Sequence, residues 1–183
     1  MPPLEIWTLA ADERVVKARL RSEQGFGLIE LLISMVMLNV GILALVAAFN
    51  SGALAMQRAS QTSNASVLAD KQLELYRALN WSAIALHTAS KTTADANTTY
   101  AGDSAWSTTQ VTTTCSGSPV ADQCNAMRTA TGPDGDSYRV DTYIVSETPP
   151  NGRAVKRVTV VIRKTSTLKA LSRVTSTFDQ STG

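Results

Sequence analysis

The sequence predicts an α+β protein in which one long N-terminal helix, with a membrane-spanning half and an amphipathic half, packs on a small antiparallel β-sheet. Three observations carry this prediction. A dense apolar block covers residues 26–49, a helical period of three and four residues continues past it to Leu79, and the last third of the chain alternates apolar and polar residues in the manner of strands.

The polar stretch 1–25 places Arg14, Lys17, Arg19 and Arg21 directly ahead of the apolar block, and a basic flank of this kind stays on the cytoplasmic side of a membrane. Between residues 26 and 56 the only charged residue is Glu30, and about 20 apolar residues suffice to cross a bilayer core of roughly 30 Å. The block is also too long for the core of a cleaved secretory signal, which runs to about 7–15 residues. Beyond it, Ala65, Leu68, Gln72, Leu75 and Leu79 fall on one helical face. No proline occurs between Pro3 and Pro119, so a helix over 26–79 is uninterrupted and roughly 80 Å long. Gly41 and Gly52 are its expected soft points. The chain thus divides into a cytoplasmic leader over 1–25, a transmembrane half-helix over 26–50, an amphipathic half-helix over 51–80, and an extracytoplasmic domain over 81–183.

Within that domain, about half of residues 88–118 are Ser or Thr, which argues for irregular surface structure pinned by Tyr100, Trp106 and Val111. Further on, Tyr138, Val140, Thr142 and Ile144 alternate with Arg139, Asp141 and Tyr143, giving a strand with two unlike faces. Pro149-Pro150-Asn151-Gly152 makes a turn. In the next run Val158, Val160 and Ile162 oppose Arg157, Thr159 and Arg163, and a third run covers 172–178. A meander of about three strands must bury its apolar face on something, and the helix is the nearest apolar partner.

Composition narrows the function classes. A net charge of +2 is too mild to make nucleic acid the main partner on electrostatics. Seven of the 17 basic residues lie between Arg153 and Arg173 with no acid among them. DNA is one reading of this cluster; the favoured one is a solvent face of Arg157 and Arg163 with Lys156 and Lys164 at the strand ends. The one histidine, His87, has no nucleophile in a recognisable context near it, so no enzyme, cofactor or metal is expected, and His87 is placed on the surface just past the helix. Asp134, Asp136 and Asp141 do not have the spacing of a calcium loop, and a Pro-Asp-Gly turn accounts for the first two. Cys115 and Cys124 form a close pair that reads as a disulfide in a translocated domain; two unrelated free thiols are the alternative.

Glu30 needs its own account, because a carboxylate inside an apolar helix costs about 2.5–3.5 kcal/mol at the bilayer centre and such residues usually have partners. Its own helix supplies no basic neighbour. A chain cut ahead of Phe26 acquires an α-amino group with an ordinary pKa of about 7.7–8.0, and this cation can neutralise Glu30 of a neighbour or of the same chain.

The segment Gly25-Phe26-Gly27-Leu28-Ile29-Glu30-Leu31-Leu32 resembles the processing site of type IV prepilins and type II secretion pseudopilins. The resemblance implies cleavage after Gly25 by a prepilin peptidase, N-methylation of Phe26, and a pilin-like fold. Residues 31–48 and 68–74 are similar to those of PilV-type minor pilins, and the absence of a helix-kinking proline fits a minor subunit. The implied partners are other pilin subunits met through the N-terminal helix, the peptidase, an inner-membrane assembly platform and the lipid bilayer. The implied location is the cytoplasmic membrane, single-pass with the N-terminus inside, and the pilus after assembly. A secretion pseudopilin and a single-pass anchored binding module that never polymerises are the alternative functions.

Overall fold

A computed structural model describes residues 27–115 and 120–180. The chain divides into two compact units, Met1–Ala53 and Leu54–Gly183. Helix α1, Leu28–Arg77, runs through both and passes Gly41 and Gly52 without a break.

In the first unit every described side chain of α1 is exposed. In the second, burial begins at Ala65 and continues with Leu68, Ala69, Gln72, Leu73 and Tyr76, residues that recur on one face because three or four positions make a turn. This face drifts from the predicted one at its end. Tyr76 takes the buried place and Leu75 is half-buried, while Leu79 packs against the core from the turn beyond the helix. The chain leaves α1 through a 3-10 turn at Trp81–Ala83. Lys156 stabilises that exit: its Nζ donates to the carbonyls of Trp81 (2.7 Å) and Ile84 (2.8 Å) and lies 4.3 Å from the Trp81 ring centroid. A buried ammonium is tolerated only with such partners, and its desolvation holds the Lys156 pKa below the ordinary lysine value.

The segment after the turn holds β1 (Leu86–His87), α2 (Thr88–Asp95), α3 (Thr98–Ala101) and β2 (Thr112–Thr113), with β1 and β2 paired in parallel. The predicted irregular surface over 88–118 is therefore partly helical. The Ser and Thr residues that argued for irregularity instead return hydrogen bonds to helix carbonyls, as from Thr92 to Thr88 and from Thr93 to Ala89. Tyr100 is fully buried, and Trp106 and Val111 pack on the core as predicted. His87, expected on the surface, is half-buried as the last residue of β1 and the N-cap of α2.

The sheet has four antiparallel strands in the order β3 (Met127–Thr131), β4 (Ser137–Glu147), β5 (Val155–Lys164), β6 (Ala170–Asp179). Strand β3 is the one the sequence reading missed, because Met127 and Ala130 are its only apolar residues. The Pro-Asp-Gly turn joins β3 to β4, with Gly135 at φ +79°, a conformation that favours glycine. Asp134 and Asp136 lie in this turn, where Asp134 accepts the Tyr138 hydroxyl at 2.6 Å. Asp141 is elsewhere, mid-strand.

Both faces of the central strands are buried. Tyr138, Val140, Ile144, Val158, Val160 and Ile162 join the helix residues in one core. The opposite face, predicted to be solvated, is covered by residues 94–106. Tyr100 stacks on Tyr143 at 4.4 Å between centroids and donates to the Thr142 carbonyl at 2.7 Å. Arg163 is thereby buried, contrary to the expectation of a solvent face. Its Nε lies 2.8 Å from Asp141 Oδ2, which Arg139 also reaches at 2.8 Å. Arg163 also pairs with Asp103, whose other partner is Arg173 at 2.7 Å. Lys156 is likewise buried, whereas Arg157 is exposed as predicted and pairs with Glu147.

Removing one member of a buried charge group strands the others, at about 3–5 kcal/mol. Asp141→Asn is expected to destabilise the fold by about that amount, and Arg157→Ala at its exposed pair by under about 1 kcal/mol; urea unfolding followed by near-ultraviolet circular dichroism measures both.

Burial disfavours the charged form of Asp103, but hydrogen bonds from Arg173 and the Ala105 amide, with the charges of Arg173 and Arg163, hold its pKa below the ordinary value. A depressed folded pKa contributes stability that is complete above the unfolded carboxylate value of about 3.9 and is lost as pH falls through the folded value. Melting temperature is therefore expected to fall steeply below about pH 4 in the wild type, and Asp103→Asn to start lower at neutral pH with a shallower acid limb.

Candidate assembly site on the N-terminal helix

Helix α1 starts where the Gly27 carbonyl accepts the amides of Glu30 (2.9 Å) and Leu31 (3.1 Å). Glu30 thus lies in the first turn, where a negative side chain is favoured by the helix dipole. Residues 31–57 carry no charge, and Leu28 through Phe49 expose large apolar side chains around the helix, with Phe49 at 79%. Exposure on this scale marks a surface that meets lipid or other protein. Among the described residues this is the one helix long and apolar enough to cross a membrane.

Glu30 is exposed, and its carboxylate makes no hydrogen bond or ion pair among the described residues. The sequence reading did not single out Ser34, whose hydroxyl donates to the Glu30 carbonyl at 2.8 Å. Its spacing of four from Glu30 was the available signal, since a helical serine satisfies its hydroxyl in this way. Gly25 and Phe26, the expected cleavage and methylation residues, lie outside the described residues. Cys115 and Cys124, far along the chain, are joined by a disulfide with Cα atoms 6.5 Å apart. Among the described residues no group of three or more His, Cys, Asp or Glu side chains is placed to hold a metal ion.

Such an arrangement offers an apolar rod bearing a single anion near its start, suited to lipid and to like rods that bring a cation to that level. Residues 20–46 match the family described as the prokaryotic N-terminal methylation motif. The match supports the resemblance of this segment to the N-terminal segment of type IV prepilins and pseudopilins. The match stops at residue 46, within the first unit. No curated protein and no solved structure matches the chain.

Proposed function

We propose that this chain is a minor pilin, a structural subunit of a type IV pilus that is inserted in the cytoplasmic membrane through α1 and processed before assembly. The carrying observation is the methylation motif over 20–46 continuing into a helix whose exposed, charge-free surface begins at Glu30. Prepilin peptidase cuts between Gly25 and Phe26, and the new N-terminus is methylated. The basic leader stays inside and the unit 54–183 lies outside, in keeping with the positive-inside rule and with a disulfide between Cys115 and Cys124. The freed amine is a cation at membrane depth, and Glu30 of this or a neighbouring subunit neutralises it where low dielectric strengthens the attraction. The uninterrupted α1 favours a PilV-type minor subunit. A secretion pseudopilin shares every one of these features, and genes for an outer-membrane secretin and exoproteins beside this one would favour it.

Processing is checked by intact mass and N-terminal sequencing of protein from the native host, which are expected to show a chain beginning at methylated Phe26. A chain beginning at Met1, or cut downstream of Ala48, overturns the proposal.

The role of Glu30 is checked by Glu30→Gln, which leaves Gly25 and the apolar run intact. Insertion and cleavage are expected to be normal, while the protein in the sheared filament fraction, or the filament number if the subunit primes assembly, falls relative to the membrane-bound level. Equal incorporation and equal filament number would show that the carboxylate is merely tolerated.

A further inference from the structure

The disulfide closes on a turn that hydrogen-bonds to the buried end of α1. Cys124 is buried at the end of a 3-10 turn, Asp122–Cys124. The carbonyls of the two residues before it are acceptors for the helix: Gln72 Nε2 donates to Asp122 O at 3.1 Å and the Tyr76 hydroxyl to Gln123 O at 2.6 Å. Gln72 and Tyr76 are both fully buried, and buried polar groups of this kind are costly to leave unpaired. The other end of Gln72 is held by Arg128 of β3, whose Nη2 lies 2.8 Å from Gln72 Oε1 and whose Nη1 lies 3.4 Å from Asp122 Oδ2.

The turn is braced locally by Asn125, whose Nδ2 donates to Val120 O at 3.0 Å and whose Oδ1 accepts the Ser90 hydroxyl at 3.3 Å. Its local amide bonds are Cys124 to Ala121 (2.9 Å) and Asn125 to Asp122 (3.4 Å). On its C-terminal side it is fastened to the sheet where the Thr142 amide donates to Ala126 O at 2.8 Å. The covalent fastening is the disulfide, which ties Cys124 to Cys115, two residues beyond β2. Strand β2 pairs with β1, so the bond connects the turn to the segment that follows α1.

We propose that the Cys115–Cys124 disulfide is a redox-set latch: when closed it holds the Asp122–Cys124 turn against Gln72 and Tyr76, and when opened it releases the last turns of α1 while the sheet stays folded. Opening is thiol–disulfide exchange with a dithiol. A thiolate of the reductant attacks the sulfur of Cys115, a half-exposed residue, the Cys124 sulfur leaves with the bond pair and takes a proton, and the second thiolate of the reductant displaces Cys115. Two protein thiols and one reductant disulfide result. Closing is the reverse, driven by a disulfide oxidant. The compartment in which closing occurs rests on the proposed export of this unit; the latch geometry lies within residues 54–183 and does not.

The test is hydrogen exchange with mass spectrometry on the full-length chain in detergent micelles, oxidised, reduced with dithiothreitol, and reoxidised with oxidised glutathione. Reduction is expected to speed exchange by about tenfold, the loss of one to two hydrogen bonds, in peptides covering 69–77 and 120–126. Peptides of β4 and β5 are expected to be unchanged, and reoxidation to restore the oxidised pattern. Tyr76→Phe, with the disulfide intact, is expected to speed exchange in the same two peptides. No change on reduction overturns the latch, and so does an equal rise in β4 and β5, which would make the bond a staple of the whole unit. Either failure leaves cleavage at Phe26 untouched as a separate question.

Discussion

The constraint on which this fold depends is that β4 and β5 are buried on both faces. A central strand pair with one wet face would need only the helix. Here the second face carries Arg139, Asp141 and Arg163, and three charges removed from water persist only if they meet one another and a covering layer. Asp141 satisfies both arginines, and Asp103 joins Arg163 to Arg173 from the covering segment. Arg139 also donates to the Asn97 side chain at 3.2 Å, and the same oxygen caps α3 by accepting the amides of Thr99 and Tyr100. The network thus orders the helix that delivers Tyr100 to Tyr143. Local capping and long-range charge pairing are one structure.

The same helix meets different requirements along its length. Over residues 28–53 its side chains are mostly apolar and exposed, a surface suited to lipid or other apolar helices. From Ala65 to Tyr76 one face is buried in a protein core and the other is polar, the pattern of a helix lying on a sheet. The unbroken backbone between them needs no special residue, because α-helical hydrogen bonds are internal to the segment and serve equally in lipid and in water.

Legibility differed by the range of the interaction involved. The helix, its apolar half, Glu30 and the turns at Pro149–Gly152 and Pro133–Gly135 are local patterns, and the structure places the helix and turns where the residues indicated. The disulfide followed from two cysteines in a short interval. By contrast, β3 is too poor in apolar residues to announce itself, because its stability comes from pairing with β4 over five positions. Arg163 and Lys156 looked like solvent-facing charges on an alternating strand, and alternation records which residues share a face, not whether a distant segment covers it.

The sequence by itself carried the resemblance to the N-terminal methylation motif: the glycine-aromatic junction, the glutamate five positions on, and the long apolar helix are contiguous, so the pattern is readable without a fold. Only the tertiary structure decided what the second face of the sheet is for. Asp103, Asp141 and Arg163 are separated by up to 60 positions, and Gln72 from the Asp122 carbonyl by 50. No local pattern connects such residues; what brings them together is the shortage of water in the core, which leaves each polar group to find its partner wherever the chain has folded it.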